Sequence, residues 1–174
     1  MNGKQSHIKI LLSAICIAGL LLGSCRSSTI AYEPTEVKRL SREIGFPVSN
    51  TDENIPLYAE ASLWLHTPYR YGGLSKQGID CSGLVYCIYR NVYRKTVSRA
   101  TAGLEKETKK VSKGSLRAGD LVFFATGSNK KKISHVGIFL KDGYFVHASS
   151  SGGVIVSHLN ENYYIRTWKR GGRF

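Results

Sequence analysis

Apolar positions recur at helical spacing in the first half of the chain and cluster in short strand-like runs in the second. Val37, Leu40 and Ile44 share one helical face between Pro34, which suits a first helical position, and Gly45, which suits a stop. A second helix is expected from Pro56 to His66, ended by Thr67-Pro68, because the residue before a proline is pushed out of helical geometry. A third is expected from Cys81 to about Tyr93. Asp80 is its N-cap, and Leu84, Val85, Ile88 and Val92 follow at helical period. After Val97 the pattern changes. Lys106 to Lys113 is basic and mixed, and Leu116 to Asp120 reads as a turn feeding a strand from Leu121 to Ala125. Strands are expected at His135 to Leu140, Tyr144 to Ser149 and Val154 to Ser157, with a last one from Thr167 to Arg170. Helices first and strands later predict an α+β fold, with the N-terminal helices packed on an antiparallel sheet.

The first 24 residues fall outside that fold. Lys4 and Lys9 precede an apolar run, Ile10 to Leu22, that is too short to span a bilayer comfortably. Leu22-Gly23-Ser24-Cys25 closes it with small residues before a cysteine and resembles a bacterial lipobox. The expected organisation is a lipoprotein signal peptide at 1–24, a lipidated Cys25 with a polar tether to residue 33, and one domain over 34–174. Acyl chains on Cys25 would hold the protein at a membrane surface without spanning it. The alternative is an ordinary signal peptide with a chance cysteine.

Net charge sharpens the picture of partners. The chain carries +13, and loss of Lys4 and Lys9 leaves 13 − 2 = +11. The surplus gathers at Lys106, Lys109, Lys110 and Lys113, at Lys130 to Lys132, and at Lys169, Arg170 and Arg173. Export argues against nucleic acid as the partner. An anionic envelope polymer or membrane surface fits better, and plain solvated surface is the bland alternative.

Four cysteines are present. Cys16 leaves with the signal and Cys25 takes lipid, so Cys81 and Cys87 remain. Six positions apart on one helix, their Cα atoms are roughly 9 Å apart, beyond disulfide reach. Cys81 is then a free thiol in an exported protein, which nucleophilic catalysis explains, while Cys87 reads as core. A thiol at a helix start meets unpaired N–H groups and the positive end of the dipole, which favour thiolate.

His135 and His147 supply candidate partners. If Lys141-Asp142-Gly143 is a three-residue hairpin loop, Gly137 pairs with His147 and His135 with Ser149, so the two histidines share a face. A two-residue turn at Asp142-Gly143 would shift the pairing by one and put them on opposite faces, and the His–His contact would fail. The expected arrangement is Cys81 as nucleophile, His135 as base and His147 orienting His135, with backbone N–H groups at the helix start and the Tyr69 hydroxyl as oxyanion donors. His66 and His158 read as structural. A Cys/His/His zinc site is the rival, but the paired short spacings of zinc sites are missing.

Tyr69-Arg70-Tyr71-Gly72-Gly73, Asp80-Cys81-Ser82-Gly83, Gly119-Asp120-Leu121, Ser134-His135-Val136-Gly137-Ile138 and Phe145-Val146-His147-Ala148 occur in the order of the NlpC/P60 family. From about Leu57 to Trp168 the chain resembles that family, and with the lipobox it looks most like the Spr-type murein endopeptidase lipoproteins. The resemblance implies a papain-like fold and a cysteine peptidase acting on peptidoglycan stem peptides, with Cys81 as nucleophile, His135 as base and His147 as third polar residue. It implies no metal and no cofactor. Tyr69 matches a tyrosine lining the family's active site. Asp80 and Ser82 match residues that help bind a free substrate amine in relatives cleaving γ-D-glutamyl–diamino acid bonds. Two bonds stay open, the D-Ala–diaminopimelate cross-link and the γ-D-Glu–diamino acid bond. A non-catalytic peptidoglycan-binding lipoprotein is the alternative of another class. The implied location is the cell envelope, lipid-anchored in the outer membrane and facing the periplasm. Control of so hazardous an activity by a partner protein or by proteolysis is a further expectation.

Overall fold

A computed structural model describes residues 32–174. The signal peptide, Cys16, Cys25 and most of the tether lie outside the described residues. Among the described residues no helix is long and apolar enough to cross a membrane.

Two helices open the fold. α1 (Pro34–Ile44) starts on its proline and ends where Gly45 turns left-handed at φ 84°, its N–H donating to the Ser41 carbonyl. α2 (Ile55–Trp64) stops before the expected His66, because His66 itself adopts a positive φ of 64°. A two-residue-per-strand hairpin, β1 (Leu74–Ser75) and β2 (Gly78–Ile79), then leads into α3 (Cys81–Tyr93), whose bounds match the expected ones. The stretch after Val97 holds a short helix, α4 (Thr101–Glu107), and an edge strand, β3 (Lys109–Val111).

The sheet follows as β4 (Leu121–Phe124), β5 (His135–Lys141), β6 (Tyr144–Ser149) and β7 (Gly153–His158), then a six-residue helix α5 (Asn162–Thr167) and β8 (Trp168–Arg173). The six strands run in the order β3-β8-β4-β5-β6-β7, all antiparallel. The class is α+β. The last strand runs three residues further than expected, through Gly171 and Gly172. A Cβ at Gly171 would sit 2.8 Å from Leu116 and 2.9 Å from the Val111 carbonyl, so only glycine lets β3 approach.

Alternation sorts the sheet's two faces. Leu121, Phe123, Val136, Ile138, Val146 and Ala148 join the core under α1–α3. Val122, Phe124, Phe139 and Phe145 form a second core with Leu159 and with Tyr164 of α5. His135 and His147 alternate onto this second face.

The hairpin between the histidine strands departs from the expected three-residue loop. Its turn is two residues, Asp142 (φ 50°) and Gly143 (φ 89°), with Lys141 opposite Tyr144. Two successive left-handed residues make the tight turn that matches strand twist. Taken alone this turn would separate the histidines. A bulge restores them: Leu140 is an extra residue between the Phe139–Phe145 and Lys141–Tyr144 pairs, and it tucks into the core at 1% exposure. Past the bulge Ile138 faces Val146, the register that the histidines require.

Candidate active site

Cys81 occupies the first turn of α3 because Asp80 caps it. One oxygen of Asp80, Oδ1, accepts the Gly83 N–H at 2.6 Å, and Oδ2 accepts the Gly72 N–H at 2.7 Å. The Ser82 hydroxyl lies 3.0 Å from Oδ1 and 2.8 Å from the Arg99 carbonyl, and the Arg99 guanidinium approaches Oδ1 at 3.3 Å. The carboxylate thus pins the 69–73 loop and the 99–101 segment to the helix start. Gly83 has no room for a side chain here: a Cβ would sit 2.6 Å from the Gly73 carbonyl and 2.8 Å from Arg99.

The thiol is buried and free. Burial pushes its pKa up, and the Asp80 charge adds to that. The Thr101 hydroxyl, 3.8 Å from Sγ, and the N–H groups of Val136 and Ser82 act in the opposite direction. The thiolate expected from the helix start is therefore outweighed by loss of solvent, and burial favours the neutral thiol.

The base expected from the sequence is His135. Val136, whose N–H reaches the sulfur, directly follows His135. The Nε2 of His135 lies 2.9 Å from Nδ1 of His147, the rings crossing at 90°. The bond leaves Nδ1 of His135 free, while the ring and Cys81 line the same cleft. His147 is 1% exposed, stacked on Phe145, and its Nε2 meets the Tyr164 hydroxyl at 2.9 Å and the Ser157 hydroxyl at 3.3 Å. Burial holds both imidazoles well below the ordinary histidine range, and the neighbouring His135 lowers His147 further.

The cleft, about 150 Å³, is lined by Tyr69, Cys81, His135, His147, Tyr163 and Tyr164 among others, and by no carboxylate. Burial, then the neighbouring Cys81 thiol and Asp80 carboxylate, push the Tyr69 phenol up, so it keeps its proton as a donor. A cavity of about 590 Å³ against α1 and α2 holds no cysteine. Of the expected site residues, the structure gathers Tyr69, Cys81, His135 and His147. Asp80 and Ser82 are turned into the fold, at 7% and 6% exposure. His158 bonds its own turn through the Asp142 carbonyl and the Asn160 N–H. Sequence reasoning missed Thr101, Ser157 and Tyr164. Only Ser157 left a trace, as a polar residue in a strand beside the histidine hairpin. A thiol, a base and a second imidazole orienting that base are the components of acyl transfer through a thioester.

The NlpC/P60 family matches residues 66–173. The chain belongs to this family. It is 34% identical over 168 residues to the murein DD-endopeptidase MepS/murein LD-carboxypeptidase of Escherichia coli (strain K12), spanning 95% of this chain and 87% of that relative. It is 35% identical over 159 residues to the probable endopeptidase NlpC of the same organism, spanning 91% and 96%. The NlpC/p60 domain of the peptidoglycan hydrolase SagA superposes with a TM-score of 0.60 at 27% identity, covering 71% of this chain and 100% of that one. The NlpC/P60 fold is thus the papain-like α+β arrangement expected, with Cys81 at a helix start and His135 and His147 on the sheet. RipD of Mycobacterium tuberculosis, described as a non-catalytic NlpC/p60 domain protein adapted to peptidoglycan binding, shares the fold at 19% identity and a TM-score of 0.57, covering 71% of this chain and 98% of that one.

Proposed function

We propose that this protein is a cysteine endopeptidase of peptidoglycan that opens D-Ala–diaminopimelate cross-links. The observation that carries the reading is the 2.9 Å His135–His147 bond, which leaves Nδ1 of His135 as the free base in the cleft that Cys81 lines. His135 takes the Cys81 proton as the sulfur attacks the peptide carbonyl. N–H groups at the start of α3 and the Tyr69 hydroxyl stabilise the oxyanion. The imidazolium then protonates the leaving amine, and a thioester remains. Water, deprotonated by His135, hydrolyses it and returns the thiol. Nothing in this sequence calls on a metal or cofactor.

The internal bonds of Asp80 favour the cross-link over the γ-D-glutamyl bond. Binding a free substrate amine needs a carboxylate the substrate can reach, and Asp80 is turned into the fold at 7% exposure. Both Asp80 oxygens already accept backbone N–H groups, and Arg99 supplies the balancing cation. The relative MepS is named for endopeptidase and LD-carboxypeptidase activities together, so removal of a terminal D-amino acid is a second reaction to assay. Cell-envelope placement follows from the substrate. Lipid on Cys25, anchorage in the outer membrane facing the periplasm, and control by a partner protein belong to the same proposal, supported by the lipobox and by the hazard of unrestrained wall cleavage.

The test is incubation of the protein with purified sacculi beside a Cys81→Ala control, with products identified by mass spectrometry. Conversion of dimeric muropeptides to monomers, abolished in Cys81→Ala, is the expected result. Fragments ending at γ-D-Glu would move the assignment to the other bond. Retained sacculus binding with no products would replace the enzyme by a binding protein.

A further inference from the structure

Tyr164 and Ser157 meet His147 at its ring nitrogen away from His135, and both hydroxyls lie within hydrogen-bond distance of that nitrogen, Nε2. The Tyr164 hydroxyl is 2.9 Å and the Ser157 hydroxyl 3.3 Å from Nε2, and the two hydroxyls are 3.4 Å apart. Each can donate or accept. His147 has one proton to place when neutral. If Nε2 carries it, Nδ1 accepts from His135 Nε2–H, and His135 Nδ1 is a free base. If Nδ1 carries it, His135 must accept at Nε2 and hold its own proton at Nδ1, where no base remains to activate the thiol.

We propose that Tyr164 and Ser157 are positioning residues that hold His147 as the Nε2–H tautomer and so keep the basic nitrogen of His135 directed at the nucleophile. The inference rests on reading Cys81 and His135 as nucleophile and base. Tyr164 accepts the His147 Nε2–H, and the Ser157 hydroxyl donates to the same phenol oxygen, so the buried imidazole has a partner for every polar atom. The same contacts hold when His135 becomes imidazolium during attack, since that cation must donate to Nδ1 of His147. The relay therefore favours the charged intermediate through a neutral neighbour, in a cleft with no carboxylate to do so. The titratable groups around the pair are Cys81 on α3, Tyr69 before β1, and Tyr163 and Tyr164 on α5, with Glu161 at the start of α5. Burial keeps the Tyr164 phenol protonated.

Full-length protein in detergent, ¹⁵N-labelled at histidine and carrying Cys81→Ala, should show both His135 and His147 as Nε2–H tautomers by NMR. With Tyr164→Phe and Ser157→Ala together, His147 should become a mixture. Phe at 164 keeps the ring packed against Phe124 and Phe145, so folding is preserved. In the active protein, Tyr164→Phe should lower kcat about tenfold with KM unchanged, one hydrogen bond's difference between the two states of the base. Its acid pH limb, set by protonation of His135, should move to lower pH by about one unit. Ser157→Thr, which keeps the hydroxyl, should retain activity that Ser157→Ala loses. An Nδ1–H tautomer of His147 in the parent protein overturns the proposal, as do unchanged kcat and pH limbs in the double variant. Absence of any wall-cleaving activity in the parent would sink the enzymatic reading while leaving the NMR result to decide the relay.

Discussion

Asp80→Asn separates what holds the nucleophile in place from what sets its reactivity. The carboxylate accepts two buried N–H groups, Gly83 at 2.6 Å and Gly72 at 2.7 Å, from opposite oxygens. An amide has one oxygen, so its NH₂ group must face one of those donors. Asparagine remains a competent N-cap, and the oxygen stays with Gly83. The loss then falls on Gly72: a hydrogen bond to a charged acceptor, worth about 1.5–3 kcal/mol. The partly exposed Arg99 pair adds at most about 1 kcal/mol. Together they amount to roughly 1.5–4 kcal/mol, or a drop in Tm of roughly 4–15 °C for a domain of this size. The Asp80 charge also raises the Cys81 pKa, so its removal should lower it. Differential scanning calorimetry reads the first effect. The pH dependence of Cys81 alkylation, followed by peptide mass spectrometry, reads the second. A Tm within about 2 °C of the parent would refute the clamp argument. A thiol pKa that rises would refute the electrostatic one, since no other nearby change can raise it.

Two further outcomes are expected. Gly137→Ala should destabilise the protein by about 1–3 kcal/mol in urea unfolding and reduce wall cleavage, because a Cβ there meets the Phe145 ring and Val146 carbonyl at 2.8 Å and the His147 Cβ at 3.1 Å. Stability should be complete above about pH 6.5 and fall as the pH drops toward the folded-state values, about 4 for His135 and about 3 for His147. In that window the unfolded chain binds protons that the buried imidazoles refuse, at a slope of up to about 1.4 kcal/mol per pH unit for each histidine. Urea titrations between pH 7 and pH 5 check this, and replacing His147 by Gln should flatten the slope.

The helices that carry an uninterrupted apolar face with end signals were legible. α1 has Pro34, three buried positions and Gly45, and α3 has Asp80 and its stripe. α4 and α5 were not, because seven and six residues complete too few turns to display a period, and α4 buries only Leu104. Cys81, His135 and His147 were readable as chemistry. Their mutual placement was readable only as parity: the expected register is the observed one past the bulge, although the loop is one residue shorter than expected. Nothing local marks Leu140 as a bulge, since its side chain is as apolar as its neighbours'. Tyr164 reaches His147 through the docking of α5 on the sheet, a tertiary event without a sequence period. Thr101 likewise depends on how the 99–101 segment folds back over α3.

The tight turn at Asp142-Gly143 and the extra residue at Leu140 behave as a matched pair of single-residue steps whose effects cancel. A change in the length of this loop keeps the histidines on one face only if it is a coupled edit: an insertion in the turn must be answered by removal of the bulge, whereas a lone edit flips one histidine to the other core. Residues 140–143 form one structural unit, to be transplanted or redesigned whole by anyone grafting a new loop beside this cleft.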